Sequence, residues 1–187
     1  MPQQSWWQTL YSTPVAGAAV TAAGPTSILP TNDPGWTFPA SFFGEPGQQL
    51  LIKGAGQLTN IATTPGTLTL NVLFGATIVY TSGAMQMSTT AHTSLPIWYE
   101  ILLTLRIIGT VAQFMGQGVI HGQPLSLTAV ADSTTTVATL MMPNTAPALG
   151  TAFSSKASQA FDHSLAFSIG GTGNSFTLQQ LTLASLN

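Results

Sequence analysis

Charged residues are the scarcest feature of this sequence. Lys and Arg together number three and Asp and Glu five, so charged residues make up 4% of the 187 residues, against about 25% in an ordinary globular domain. The surface must therefore be coated by Thr, Ser, Gln and Asn. A protein that remains monomeric in a crowded cytoplasm usually has more surface charge, which keeps it soluble. A protein that packs against copies of itself or against a lattice of protein subunits does not need this charge.

Cysteine, basic patches and long apolar runs are missing as well. The absence of cysteine excludes disulfides, thiolate catalysis and cysteine-bound zinc. With three Lys and Arg residues and a net charge of −2, the chain cannot neutralise a phosphate backbone, so we expect no nucleic-acid partner. No apolar run approaches the roughly 18 residues of a membrane helix, and no basic start with a following apolar stretch indicates a signal peptide. We therefore expect no membrane partner.

The most informative stretch is residues 97–108, between Pro96 and Gly109. Its odd positions are all apolar or aromatic, whereas its even positions include Glu100 and Arg106. Because side chains alternate between the two faces of a strand, this pattern predicts one hydrocarbon face and one mixed face. A helix over the same residues would have no clean apolar stripe. The stretch therefore predicts a central strand of a two-layer β-structure.

Strand patterns separated by turn residues continue on both sides of this stretch. The further predicted strands cover residues 48–61, 67–74, 77–81, 110–120, 125–131, 135–142, 161–169 and 175–186. Glycines predict a bend or bulge at 54–56, and a change of apolar phase predicts a bulge at 179–180.

Roughly eight to ten strands without a convincing helix are typical of an all-β sandwich or a closed barrel. Long connections over 82–94 and 143–158 favour strands that cross between sheets. We therefore predict a jelly-roll-like antiparallel β-sandwich over residues 47–187.

Residues 1–46 differ from the rest of the chain, because seven of its 12 prolines fall there. Proline has no backbone donor for a central strand, so this segment predicts an extended arm with turns and edge strands. Its aromatic residues Trp6, Trp7, Trp36 and Phe42 are candidate interface anchors, since interface energy concentrates in buried aromatic residues. Two interpretations stay open: the rings cap the open end of their own sandwich, or the arm reaches a neighbouring subunit.

No group of residues in the sequence predicts catalysis. The acidic residues are scattered singly, whereas a glycosidase needs two carboxylates across one bond. Glu100 and Arg106 lie too far apart along one strand to pair, so we expect each to pair with a neighbouring strand or across a subunit interface. His92, His121 and His163 lack the spacing of metal ligands. We therefore predict no enzyme activity, no catalytic residue, no cofactor and no metal site.

Two short motifs share residue types with catalytic or phosphate-binding signatures. Residues 162–164 (Asp-His-Ser) contain the three types of a hydrolase triad, but neighbours on a strand point to opposite faces and cannot form the relay. Residues 170–174 (Gly-Gly-Thr-Gly-Asn) have the glycine content of a phosphate loop, yet neither a Lys nor a helix follows. A hairpin turn is the better interpretation.

Several segments spread over nearly the whole chain share a recognisable pattern. They are residues 48–56 (Gln-Gln-Leu-Leu-Ile-Lys-Gly-Ala-Gly), residues 63–70 (Thr-Thr-Pro-Gly-Thr-Leu-Thr-Leu), Trp98-Tyr99-Glu100, the turn at Gly109, Gly116-Gln117-Gly118 and the ending at 178–187. This pattern resembles a family of tailed-bacteriophage virion proteins, and its motifs are structural. The resemblance implies a β-sandwich particle component, an oligomer that decorates or cements the head shell, with a place in the tail or fibre left open.

Composition and resemblance together predict a non-enzymatic virion structural protein. We expect a homotrimer on the head surface that binds the major capsid protein or another virion protein as a decoration or cement protein. The alternative is a carbohydrate-binding, receptor-recognising module of a tail or fibre, because sandwich folds host many lectins. Trp98 and Tyr99 would then supply the sugar-stacking rings, and both are expected to be partly packed.

Overall fold

The computed structural model describes residues 7–126, 137–171 and 173–186. These residues form twelve β-strands and no helix, and thus no helix of a length and hydrophobicity that would cross a bilayer. The strands are β1 (Trp7–Ser12), β2 (Thr26–Ser27), β3 (Thr37–Phe38), β4 (Gln49–Asn60), β5 (Thr67–Phe74), β6 (Thr77–Thr81), β7 (Met85–Gln86), β8 (His92–Ile107), β9 (Gln113–Gly122), β10 (Ala138–Met142), β11 (Gln159–Phe167) and β12 (Ser175–Leu186). The all-β prediction is confirmed.

The strands form two antiparallel sheets that enclose one core. Sheet A has the order β1-β12-β4-β8-β9-β10; sheet B has the order β2-β11-β5-β6, with β3 on β11 and β7 on β5. The pairing is nested, because β4 pairs with β12 in sheet A while β5 pairs with β11 in sheet B. A strand pair that is nested in the sequence between the two strands of another pair, and that lies in the opposite sheet, is typical of a jelly roll. The predicted jelly-roll-like antiparallel sandwich is confirmed.

Strand β8 is the central strand that its alternation predicted, and it lies between β4 and β9. Its inward side chains are buried: Ile97, Tyr99, Ile101, Leu103 and Leu105. Ile107 was predicted on the same buried face but is 37% exposed. The reason is a register irregularity against β9 between Leu105 and Ile107, after which the strand leaves the core.

The predicted bulge at 179–180 is confirmed, because the register of β12 against β4 shifts between Leu178 and Gln180. The bend or bulge predicted at 54–56 is found only in the pairing with β12, whose extra residue lies opposite Gly56 and Ala55, whereas β4 stays in regular register with β8 through these residues. The glycines are needed for another reason. A Cβ on Gly54 would lie 2.2 Å from the Tyr99 ring, and one on Gly56 would lie 2.5 Å from the Phe176 ring.

The proline-rich segment lies along both sheets of the sandwich. Strand β1 pairs with β12 at the edge of sheet A, and β2 and β3 pair with β11. The segment also contributes buried side chains to the core: Tyr11, Val20, Ile28, Phe38 and Phe43. Residues 7–46 therefore supply edge strands and core contacts to the same sandwich.

A cluster of phenylalanines fills one part of the space between the sheets. Its fully packed members are Phe38, Phe43, Phe74, Phe114 and Phe153, whose neighbouring ring centroids lie 4.9–5.7 Å apart. Phe153 comes from the long connection over 143–158, which forms backbone bonds with Ala112. Most of the predicted strand over 125–131, and the start of that over 135–142, lie outside the described residues.

Candidate functional site

The outer face of sheet A carries two exposed tryptophans, Trp7 at 61% and Trp98 at 40% exposure. Alternate residues of a strand point to opposite faces, so the even residues of β8 share this face with the odd residues of β4. The register places Ala55 and His121 on either side of Trp98. These positions define the candidate site.

Trp98 and His121 form a stacked pair across β8 and β9. Their ring centroids are 5.3 Å apart and their planes differ by 24°. The His121 Nδ1 atom lies 2.9 Å from the Thr139 hydroxyl on β10, which holds the imidazole in place. One face of the Trp98 indole is thereby supported, while the side chain remains accessible to a ligand.

Tyr99 does not belong to this site, so its expected role as a second sugar-stacking ring is wrong. Its side chain is 0% exposed and packs between the sheets, where its ring centroid lies 5.4 Å from that of His163. Burial raises the pKa of its hydroxyl far above the ordinary value. Strand alternation requires this placement, since a neighbour of the outward Trp98 must point inward.

An ion pair lies next to Trp98 on the same face. The Lys53 ammonium is 3.0 Å from the Glu100 carboxylate, and the two residues are direct partners across β4 and β8. The prediction that Glu100 pairs with a neighbouring strand is confirmed. The same ammonium lies 5.6 Å from the centroid of the Trp7 ring, so Lys53 links the edge tryptophan to the ion pair.

The structure places the four candidate interface residues in different surroundings. Trp7 is exposed on the outer face of sheet A, and Trp6 lies outside the described residues. Trp36 and Phe42 are partly buried, with ring centroids 6.3 Å and 5.1 Å from that of Phe38. These two rings cover the core of their own chain and expose only part of their surface to solvent. The interface role of all four stays a prediction.

The Asp-His-Ser sequence on β11 does not form a relay. The Asp162 carboxylate accepts a 2.6 Å hydrogen bond from the Ser27 hydroxyl, whereas His163 Nδ1 lies 2.8 Å from the Asn71 carbonyl oxygen. His163 is fully buried, and this burial lowers its pKa to about 4. Within the described ranges, no three His, Asp or Glu side chains come together to hold a metal ion.

The His121 partner of Trp98 was not predicted, although a signal for it was present. A hairpin whose turn is centred between residues 109 and 110 pairs residues whose numbers add up to 219, which places residue 121 opposite residue 98. The observed register has this pairing. Sequence alternation alone gives the face of a side chain but not its neighbours across the sheet.

The fold defines this protein as an antiparallel β-sandwich without helices in its described parts. No protein-family model and no curated protein matches the chain. Among solved structures, it is similar to the CBM2 module of the evolved Dit of Lactobacillus casei BL23 phage J-1, with 9% identity, a TM-score of 0.32, and coverage of 99% of this chain and 98% of that chain.

Two further similar structures come from different organisms. A Shewanella oneidensis MR-1 protein of unknown function is 12% identical, with a TM-score of 0.34 and coverage of 96% of this chain and 78% of that one. A β-fructofuranosidase of Schwanniomyces occidentalis is 8% identical, with a TM-score of 0.31, and the match covers 97% of this chain and 34% of that one. Likenesses this weak do not transfer any activity to this chain.

Proposed function

We propose that this chain is a non-enzymatic structural protein of a tailed-phage virion, which decorates or cements the head shell as a homotrimer. The observation that carries the proposal is the broad outer face of sheet A, with exposed Trp7 and Met141 near its two edges. The scarcity of charge along the whole chain supports a surface that packs against protein neighbours.

The dimensions of sheet A suit a protein interface. Six strands at about 4.8 Å spacing span about 24 Å, and ten residues along a strand span about 34 Å. Such a face offers on the order of 800 Å², which matches one side of a standard protein–protein interface. The ion pair of Lys53 and Glu100 leaves little net charge near the middle of this face, so a partner with neutral polar groups could bury it.

Trp7 is the anchor that the geometry favours among the four candidates. Its side chain is 61% exposed, and truncating a buried interface tryptophan commonly costs about 2 kcal/mol or more of binding free energy. Trp36 and Phe42 already contact the aromatic cluster of their own chain. They would add contact area at the edge of an interface.

The test uses empty shells of the parent particle assembled without this protein. We expect the purified chain to scatter light as a trimer of 19.4 kDa subunits and to saturate the shells, and we expect Trp7→Ala to lose most of the occupancy seen by electron microscopy. Ile78→Ala is the matched control, because Ile78 is a 37% exposed apolar residue on sheet B. Deletion of residues 1–30 is less suitable, since it removes buried Tyr11 and Ile28.

Two outcomes would contradict the proposal. A wild-type chain that remains monomeric and does not bind shells at any concentration would exclude the cement function. Full occupancy by Trp7→Ala would exclude the proposed anchor and move the contact elsewhere on the surface.

The second candidate is the carbohydrate-binding alternative, with the chain acting in a tail or fibre. The Trp98 indole, 40% exposed and supported from behind by His121, is the observation that favours it. Flat aromatic faces present an apolar surface with a polar rim, which suits ligands that combine C–H and O–H groups. Binding of the isolated chain to an array of oligosaccharides is the direct test.

A further inference from the structure

The neighbours of Trp98 form a slot on the outer face of sheet A. Ala55 on β4 is the direct partner of Trp98, and Gln180 on β12 is the partner of Ala55 on its other side. A row of Trp98, Ala55 and Gln180 therefore crosses three adjacent strands. The outer residues of this row lie about 10 Å apart, because each strand spacing is about 4.8 Å.

The small side chain in the middle of this row leaves the slot open. One face of the Trp98 indole stacks on His121, so its opposite face is turned towards Ala55, whose single methyl group cannot cover it. The slot thus has an indole as one wall, Ala55 as its floor and Gln180 as the other wall. A flat ring could lie against the free face of the indole.

The bulge in β12 enriches the second wall in amide groups. Because Gln179 is the extra residue of the bulge, it and Gln180 are both exposed in succession, which breaks the alternation of the strand. Gln57, two residues from Ala55 on β4, is exposed at one end of the slot. Each amide has two donor hydrogens and an accepting oxygen, so together they can bind neighbouring hydroxyl groups.

The other end of the slot is defined by Lys53, two residues from Ala55 in the opposite direction. Its ammonium is paired with the Glu100 carboxylate at 3.0 Å, so this end presents both a donor and an acceptor without net charge. A carboxylated or sulfated ligand would have to compete with Glu100 for the ammonium. The electrostatics therefore favour a neutral ligand.

We propose that this slot binds a neutral saccharide chain, with one pyranose ring stacked on Trp98 and its hydroxyl groups bound by Gln180, Gln57 and the paired Lys53. The proposal rests on the second candidate function and specifies its site and ligand class. It requires an apolar ring face for the indole and uncharged hydroxyl groups for the amides. Neutral hexose polymers of a bacterial surface have both.

The test titrates the full chain with maltopentaose, cellopentaose and a galactose pentasaccharide as neutral probes and with sialyllactose as the acidic probe. Tryptophan fluorescence and calorimetry report binding. We expect at least one neutral probe to bind, and we expect Trp98→Ala to lower the affinity for this probe by about tenfold or more. Calorimetry easily resolves a change of this size. Trp98→Tyr should retain part of the affinity, since it keeps a stacking ring.

Ile78→Ala is the matched control, because Ile78 is an exposed apolar residue on β6 of sheet B and lies away from the slot. It should leave saccharide affinity within about twofold, whereas Trp98→Ala should weaken it. Thermal unfolding of each variant verifies that the sandwich is intact.

Three results would overturn the inference. Saccharide binding that Trp98→Ala leaves unchanged would preserve a carbohydrate-binding function but exclude this slot. Stronger, Trp98-dependent binding of sialyllactose would exclude the neutral ligand class. Absence of binding to every probe would reject both the slot and the second candidate function, while the cement function would still be judged by the shell experiment.

Discussion

Gly54 on β4 lies directly opposite Tyr99 on β8, and the phenol ring occupies the space that any side chain at position 54 would need. A Cβ at this position would be 2.2 Å from Cζ and 2.3 Å from the hydroxyl oxygen of Tyr99. The largest fully buried side chain of the core therefore depends on the absence of its partner's side chain.

Gly54→Ala should destabilise the sandwich by about 2 kcal/mol, because an added methyl group in a packed core forces the ring or the backbone to move. Urea unfolding followed by tryptophan fluorescence measures the change. Gly44→Ala is the matched control: nothing lies within 4 Å of a Cβ there, so its effect should stay within about 0.5 kcal/mol. Equal stability of both variants would contradict the tight packing of Tyr99 against β4.

Stability should fall as the pH is lowered through the range set by His163. Burial lowers the pKa of its folded form to about 4, against 6.5 for the unfolded chain, so the unfolded state binds more protons between these values. The contribution is fully present above about pH 6.5 and declines towards pH 4. At about 1.4 kcal/mol per pKa unit, the loss is about 3 kcal/mol.

His163→Gln should remove this part of the pH dependence, which denaturant titrations at neutral and acidic pH would measure. His121→Gln is the control, since His121 lies on the outer face of sheet A and is only partly buried. A wild type and a His163→Gln variant with parallel pH profiles would show that His163 does not stay neutral in the folded core.

Asn174 should be a strong determinant of stability at the end of the sandwich. Its side-chain amide donates to the Pro65 carbonyl at 2.8 Å and the Ile169 carbonyl at 3.1 Å, and its oxygen accepts from the Ile61 amide at 3.1 Å. Asn174→Ala removes all three bonds, leaves the buried Pro65 carbonyl without this donor and should cost about 3 kcal/mol. Thermal and urea unfolding measure this, with exposed Asn32→Ala as a control that should change little.

The ion pair on the outer face should contribute little to folding. The Lys53 and Glu100 side chains are 40% and 34% exposed, and such pairs are typically worth less than about 1 kcal/mol. A double-mutant cycle with Lys53→Ala and Glu100→Ala should give a small coupling free energy that decreases with added salt. A coupling of several kcal/mol would indicate a buried, structurally essential pair instead.

Alternation made the central strand and its faces predictable. The pattern that places Trp98 outwards on β8 also requires Tyr99 to point inwards, so only one of these two neighbouring rings can face a ligand. The bulge at 179–180 was predictable for the same reason, because a phase change in a strand with one buried face needs an extra residue.

The sequence of the proline-rich segment has no comparable pattern from which its core contacts could be predicted. Its buried residues Tyr11, Val20 and Ile28 are spaced too widely for either a strand or a helix period. They enter the core singly: Tyr11 pairs with Leu183, Val20 forms a bridge with Phe176, and the Ile28 amide donates to the His163 carbonyl. Two neighbours of Trp98 were equally hidden, since Ala55 and Gln180 come from strands whose registers depend on long-range pairing and on the bulge in β12.

The pairing of β4 with β12 has a consequence for biosynthesis. Gln49 lies opposite Leu186, so the middle of sheet A cannot be completed until residue 186 has left the ribosome. Loop closure over such a distance slows folding, and the nascent chain exposes an unpaired β4 edge during that time. The yield of folded protein should therefore depend more on chaperones that protect the growing polypeptide than on how fast its local hairpins form.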